Sequence, residues 1–144
     1  TNTLVEPAGE YPTAQKIVGF EWNGTSYSRK SIEDNLTIST NAVMLGDTDN
    51  DGKNEMLAAT QESDALLLYR FEGRWKREVL AKDLVNEGEK IVSVAMLGHE
   101  RIFYAASNDT HSSFYVLEHT AGSWEKTHLV KMEFPLNIWG IFPI

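Results

Sequence analysis

Cysteine is absent from this 144-residue chain, so a disulfide framework, a zinc–thiolate site and a cysteine nucleophile are all excluded. The sequence also lacks a run of about 18 apolar residues, so it predicts no membrane-spanning helix. Basic residues are scarce, since 13 Lys and Arg stand against 21 Asp and Glu for a net charge of −8. This balance argues against nucleic acid or an anionic lipid surface as a main partner and suits a protein that binds cations.

Many of the acids fall in one short segment, residues 46–55, where three aspartates alternate, Gly52 follows the third and a glutamate closes the series. This pattern predicts a loop around a hard divalent cation such as calcium, which takes about six to eight oxygen ligands. Gly52 permits the sharp positive-φ bend that folds such a loop. The expected ligands are the carboxylates of Asp47, Asp49, Asp51 and Glu55 and the backbone carbonyl of Lys53. The alternative is an Asp/Asn/Gly-rich turn without metal, but four close like charges repel each other unless a cation neutralises them.

The loop is not an EF-hand, because the twelfth position, where an EF-hand places a bidentate glutamate, is Ala58. An EF-hand also requires a helix on each side. Here the flanking segments, residues 41–45 and 55–60, are short apolar runs of strand length. We therefore expect the acidic loop to join two β-strands.

Internal repetition indicates the fold. The aromatic residues Tyr27, Trp75 and Trp124 recur at a spacing of about 48 residues, each shortly after a glycine-containing turn and before a basic-polar stretch that ends in apolar residues. A period of about 40 to 50 residues with four short strands in each unit is typical of β-propeller blades. The recurrence of the three aromatics at one position predicts packing between blades rather than a sugar-stacking surface.

The pattern predicts strands at 39–46, 54–60, 65–72 and 74–81 for one blade and at 91–98, 100–106, 113–120 and 123–131 for the next. Three N-terminal strands are expected at 3–6, 15–22 and 25–32, and one C-terminal strand at 137–142. The fold class is therefore all-β, a propeller of four-stranded antiparallel blades with three blades' worth in the chain. The predicted divisions are a partial blade at 1–36, blades at 37–84 and 85–132, and a closing strand at 133–144.

Three blades are too few for a closed ring, which usually has about four to eight. Two chains would supply six blades if the C-terminal strand of each completed the N-terminal blade of the other, so one hypothesis is a two-fold homodimer. The other hypothesis is that the chain is part of a longer propeller.

These features together resemble the FG-GAP or VCBS type of propeller repeat, found in integrin alpha subunits, lectin-like propellers and many secreted microbial proteins. In that family an Asp-x-Asp-x-Asp-Gly-x-x-Asp loop between the first two strands of a blade holds calcium. The chain matches this motif at Asp47, Asp49, Asp51, Gly52 and Glu55, with glutamate in the final position. The resemblance implies one structural calcium ion per chain, since the equivalent turn of the next blade, residues 98–101, is too short and lacks the ligands.

The family hosts several functions, so function depends on the site. Binding sites favour loops on a rigid scaffold, which points to the loops at the end of each blade opposite the acidic loop. The candidate ligand-binding residues there are Tyr11, Glu62, Asp64, Asn108, Asp109 and His111. Our first hypothesis is an extracellular binding or adhesion module for a glycan or protein. The alternatives are a propeller domain of a polysaccharide lyase or hydrolase, and a purely structural repeat module.

No catalytic motif is visible: the sequence has no Gly-x-Ser-x-Gly elbow, no phosphate-binding loop and no histidine pair at metal-ligand spacing. Three Asn-x-Thr sequons begin at Asn23, Asn35 and Asn108, all in predicted turns. They suggest export, and a calcium loop of this kind suits extracellular calcium levels. The sequence therefore predicts an extracellular or cell-surface location.

Overall fold

The computed structural model describes residues 3–4, 15–36, 40–60 and 64–135. Every regular element among these residues is a β-strand, and all the strand pairs are antiparallel, which confirms the all-β, antiparallel class. No helix in the described part of the chain is long and apolar enough to cross a membrane. The predicted closing strand at 137–142 lies outside the described residues.

The strands are β1 (Thr3–Leu4), β2 (Gln15–Trp22), β3 (Tyr27–Leu36), β4 (Thr40–Gly46), β5 (Glu55–Thr60), β6 (Leu66–Phe71), β7 (Trp75–Ala81), β8 (Lys90–Met96), β9 (Arg101–Ser107), β10 (Ser112–Thr120) and β11 (Ser123–Met132). They form three meanders, here called the first sheet (β1-β2-β3), the second sheet (β4-β5-β6-β7) and the third sheet (β8-β9-β10-β11). The first sheet belongs to one compact unit, and the second and third sheets belong to another.

The second and third sheets share one apolar core. The strands of each sheet alternate between two faces, and one face of the second sheet packs on one face of the third. The largest contributors from the two sheets and from the connection between them are Leu57, Leu66, Leu68, Leu84, Ile91, Ile102, Tyr104 and Leu117, all at most 2% exposed. This core fixes the two sheets, and therefore their connecting loops, with respect to each other.

A β-bulge at the same position marks all three sheets as copies of one unit. In the last hairpin of each sheet the pairing skips one residue of the final strand: Ile32, Leu80 or Leu129. Each skipped residue lies five positions after the recurring aromatic residue of its sheet. The apolar residue that recurs in the sequence is therefore the residue that a bulge displaces from the regular ladder.

An aromatic contact spans the last hairpin of each sheet as well. The pairs are Trp22 with Tyr27, Phe71 with Trp75, and His119 with Trp124, with ring centroids 5.0, 5.4 and 5.1 Å apart. Trp124 is partly buried and packs against the shared core. Tyr27 is 60% exposed, and its ring contacts that of Trp22 across its own hairpin; its packing between blades stays a prediction.

The two sheets of the second unit have two distinct ends. The β4–β5 and β8–β9 turns lie at one end, which we call the turn end. The 82–89 connection and the 108–111 turn lie at the other, which we call the loop end. A hydrogen bond from the backbone N–H of Leu84 to the carbonyl of Asp64 (2.9 Å) joins the 82–89 connection to the second sheet. The candidate metal loop and the candidate ligand loops therefore occupy opposite ends.

Candidate functional site

The acidic loop joins β4 to β5, as predicted, and its backbone bends through two left-handed residues. Asn50 has φ of 62° and Gly52 has φ of 84°. Asp47 accepts hydrogen bonds from the backbone N–H groups of Asp51 (3.2 Å) and Gly52 (2.9 Å). These bonds turn the backbone around the Asp47 carboxylate and give the loop a compact, defined shape.

Three carboxylates converge inside this turn. Each of the three side chains offers one carboxylate oxygen, and these three oxygens lie within 4.8 Å of one another. The residues are Asp47, Asp49 and Glu55, and this grouping could hold a metal ion. Glu55 is 4% exposed, and its Oε2 atom accepts hydrogen bonds from the backbone N–H (2.7 Å) and hydroxyl (2.6 Å) of Thr48. Glu55 is thus fixed in place, and an all-oxygen carboxylate set fits a hard cation such as calcium or magnesium.

Asp51 pairs with Lys53 through both of its carboxylate oxygens. Its Oδ2 atom lies 2.8 Å from Lys53 Nζ, and its Oδ1 atom accepts the backbone N–H of Lys53 at 2.8 Å. The side-chain hydrogen bond from Lys53 holds the pKa of Asp51 below its ordinary value, and the same contact raises the pKa of Lys53. Asp51 therefore serves as the partner of Lys53 beside the three-carboxylate group.

A second cation approaches from β6. Arg70 Nε lies 3.5 Å from Asp49 Oδ2, and the same guanidinium pairs with Glu78 on β7. The loop holds four carboxylates, and Lys53 and Arg70 supply two positive charges beside them. Because Arg70 is shared with Glu78, the two cations do not balance the carboxylates, and the loop keeps an excess of negative charge.

The structure describes four of the six candidate ligand-binding residues, and they lie at the loop end; Tyr11 and Glu62 lie outside the described residues. Asn108 Oδ1 accepts the backbone N–H groups of Thr110 (2.9 Å) and His111 (3.0 Å), so its carbonyl oxygen shapes its own turn. Asp109 is exposed at the tip of that turn. Asp64 is half-buried on the neighbouring loop. Of the four described residues, only Asp109 is classed as exposed.

Sequence reasoning missed a buried carboxylate behind this turn. The Glu89 side chain is 0% exposed and accepts hydrogen bonds from the hydroxyl of Ser113 (2.6 Å), the hydroxyl of Tyr115 (3.0 Å) and the backbone N–H of Asn86 (2.9 Å). His111 Nε2 lies 3.0 Å from the same carboxylate. Glu89 joins the 82–89 connection to β10, and no short motif signals a contact between residues more than twenty positions apart.

The electrostatics of Glu89 reflect two opposing effects. Burial by itself raises the pKa of a carboxyl group, because it disfavours the charged form. Hydrogen bonds from Ser113, Asn86, Tyr115 and His111 stabilise the carboxylate and outweigh burial, so that the pKa of Glu89 is lowered from 4.5. Beside it, burial raises the pKa of Tyr104, whose hydroxyl donates to the carbonyl of Leu84 at 2.5 Å.

No family model, curated protein or solved structure matches this chain. Functional inference therefore depends on the site geometry and on the resemblance of the acidic loop.

Glu89→Gln is expected to destabilise the fold by about 2–4 kcal/mol at pH 7, because a buried acceptor for several donors is replaced by an amide that cannot accept them all. Since the folded pKa of Glu89 is lowered, its contribution is present above about pH 4.5 and is lost as the pH falls through the folded pKa. Urea unfolding of both proteins at pH 7 and in acid tests this. The difference should shrink in acid.

The matched control is Glu87→Gln, which changes an exposed glutamate two positions earlier in the same connection. It should alter the free energy of unfolding by no more than about 0.5 kcal/mol. Equal effects of the two substitutions would contradict the role assigned to Glu89.

Proposed function

We propose that this chain is a calcium-stabilised β-propeller unit of the FG-GAP or VCBS type that acts as an extracellular binding or adhesion module for a glycan or a protein. The observation that carries the proposal is the carboxylate group of Asp47, Asp49 and Glu55 between the first two strands of a four-stranded sheet. The repeated bulge and the stacking of two equivalent sheets support the propeller part of it.

In this proposal the ion is structural. It is held by the carboxylates of Asp47, Asp49 and Glu55. Further oxygen ligands come from the backbone carbonyl of Lys53 and from water. Asp51 becomes a ligand only by releasing Lys53. The bound ion offsets the excess negative charge of the loop and so stabilises the β4–β5 turn. Calcium suits a loop that mixes side-chain and backbone oxygens better than magnesium, which demands a near-ideal octahedron.

Calcium should raise the thermal stability of the protein. At a free concentration about 100 times the Kd, the expected stabilisation is about 2.7 kcal/mol. Asp49→Asn should abolish most of it, while Asp109→Asn, which removes an exposed acid at the opposite end, should preserve it. Melting curves in calcium, magnesium and chelator measure the effect. Identical melting of the parent protein in calcium and chelator would reject the metal site.

The binding proposal places the ligand at the loop end, where the turns are fixed by internal hydrogen bonds and Asp109 is exposed. An exposed carboxylate can accept hydrogen bonds from sugar hydroxyls or pair with a basic side chain of a protein ligand. Rigid loops favour binding because little ordering is needed when the ligand arrives.

A screen of immobilised glycans and extracellular-matrix proteins should identify a ligand in calcium-containing buffer. Asp109→Ala should then weaken binding by about tenfold or more, whereas Glu125→Ala, a change at an exposed residue of β11, should leave it within about twofold. Equal binding by both variants would show that the ligand does not bind at the 108–111 turn. Absence of any bound glycan or matrix protein would reject the adhesion role and favour a purely structural module.

The proposed propeller closes as a homodimer in which the C-terminal strand of each chain completes the N-terminal blade of its partner. The first sheet has three strands among the described residues, whereas the second and third have four each. A fourth strand from a partner would give six complete blades in two chains.

Light scattering in calcium should therefore report twice the mass of one chain, and the value should persist on moderate dilution because strand exchange buries main-chain hydrogen bonds as well as side chains. The same measurement in chelator shows whether the ion contributes to assembly. A mass of one chain in calcium would contradict the dimer and leave the longer propeller as the explanation of the incomplete blade.

A further inference from the structure

Arg70 contacts two carboxylates, one in the acidic loop and one outside it. Its Nε atom lies 3.5 Å from Asp49 Oδ2, and its guanidinium also pairs with Glu78 on β7. The N–H donors of arginine form a planar fork, so one guanidinium can serve two carboxylates at once. Arg70 therefore divides its charge between a candidate metal ligand and an acid that belongs to the neighbouring strand.

The second sheet fixes Arg70 at this position. Arg70 follows Leu66 and Leu68 at alternate positions of β6, and Glu78 is paired with Leu68 across the β6–β7 ladder. Side chains at alternate positions share one face of a sheet, so Arg70 and Glu78 lie on the same face as diagonal neighbours. The strand ladder, rather than the acidic loop, holds Arg70 and Glu78 together.

The two contacts of Arg70 differ in kind. The 3.5 Å separation between Arg70 Nε and Asp49 Oδ2 is an ion pair that is longer than an ordinary hydrogen bond. The contact with Glu78 is a hydrogen bond that Arg70 Nη1 donates to the carboxylate. Arg70 can therefore leave Asp49 without losing Glu78, and its positive charge then still has a partner.

Lys53 is the other cation beside the loop, and it is the weaker influence. The Lys53 side chain is 74% exposed, whereas that of Arg70 is 32% exposed. Ion pairs that are open to water are screened and contribute little, while charges that are partly shielded from solvent interact more strongly. Of the two cations, Arg70 should therefore change the charge around Asp49 more when it is removed.

We propose that Arg70 is a built-in counter-ion of Asp49 that competes with a divalent cation for this carboxylate, and that Glu78 retains the guanidinium when Asp49 becomes a metal ligand. In this inference, which rests on the proposed calcium site, Arg70 and Glu78 set the affinity of the acidic loop for the ion. Neither residue is itself a ligand.

The two residues should act on the metal affinity in opposite directions. Without Arg70, the Asp49 carboxylate is free to serve as a ligand and a positive charge that opposes cation binding is gone, so the affinity should rise. Without Glu78, the guanidinium has lost its alternative partner and should stay on Asp49, so the affinity should fall.

Calorimetric titration of the metal-free protein with calcium chloride measures both effects. Arg70→Gln should lower the Kd about fivefold or more, and Glu78→Gln should raise it about threefold or more. The matched controls are Arg74→Gln, which removes the same charge from an exposed residue of the β6–β7 turn, and Glu87→Gln, at an exposed position of the 82–89 connection. Each control should stay within about twofold of the parent. Equal Kd values for Arg70→Gln and Arg74→Gln would overturn the inference.

A double-mutant cycle shows whether Glu78 acts through Arg70. In the Arg70→Gln background, Glu78→Gln should change the calcium Kd by no more than about twofold, because the guanidinium that Glu78 held is absent. An effect as large as in the parent background would show that Glu78 acts through its own charge, and would contradict the competition between Arg70 and the ion.

The same proteins separate the role of Arg70 from the calcium site itself. Calcium binding by the parent with an unchanged Kd in Arg70→Gln would reject the role of Arg70 and leave the calcium site standing. A parent protein that shows neither binding heat nor a shift of melting temperature in calcium would reject both. In chelator, Arg70→Gln should melt at a lower temperature than Arg74→Gln, because Asp49 has lost its counter-ion, and equal melting there would also contradict the counter-ion role.

Discussion

Burial of both faces of the same antiparallel sheet is the constraint on which the rest of this structure depends. An antiparallel sheet commonly packs one face on a core and exposes the other to water. In the second sheet, Leu57 and Leu68 point into the core shared with the third sheet, yet Met56 and Tyr69, which point the other way, are also at most 1% exposed. A sheet that is apolar on both faces needs cover on each side, so a partner on one face alone does not account for its burial.

The second unit buries one carboxylate at each of its two ends. Glu55 at the turn end and Glu89 at the loop end are both nearly inaccessible, and each accepts hydrogen bonds from a backbone N–H group and at least one hydroxyl. Their surroundings differ. Glu89 accepts its hydrogen bonds from neutral donors of the chain, and His111 Nε2 lies 3.0 Å away. Glu55 lies beside two further acids, Asp47 and Asp49, a grouping that could hold a metal ion.

The sequence anticipated the strands well because strand, turn and bulge signals are local. Three signals are visible without a structure: the alternation of apolar residues, glycine in tight turns, and the recurrence of an aromatic residue followed five positions later by an apolar residue. The observed strand ends lie within about four residues of the predicted ones. The acidic loop was located for the same reason. Its internal arrangement was less predictable, because Lys53, placed two positions after Asp51, captures that carboxylate through both its ammonium and its backbone N–H.

The residues that sequence reasoning missed are those whose role depends on distant partners. Arg70 reaches the acidic loop because β6 lies next to β5. Glu89 meets Ser113 because the meander brings the start of β8 and the start of β10 to the same end of the third sheet, with the end of β9 between them. A single glutamate in an exposed-looking loop carries no sequence signal of burial. The burial of Glu89 becomes visible only when the strands are paired, because this pairing brings residues more than twenty positions apart within hydrogen-bonding distance.

The first hairpin turns of the second and third sheets differ, and the difference indicates what an ion in the acidic loop would contribute to the fold. The third sheet closes its first hairpin through residues 97–100, and the backbone N–H of Leu97 bonds to the carbonyl of Arg101 at 3.0 Å without any acidic cluster. An eight-residue acidic loop is therefore not a requirement for this kind of hairpin. In the second sheet the longer loop introduces charge repulsion that a divalent ion would remove, so an ion at that position would stabilise one turn locally, while the shared apolar core and the Glu89 network hold the loop end in place without it.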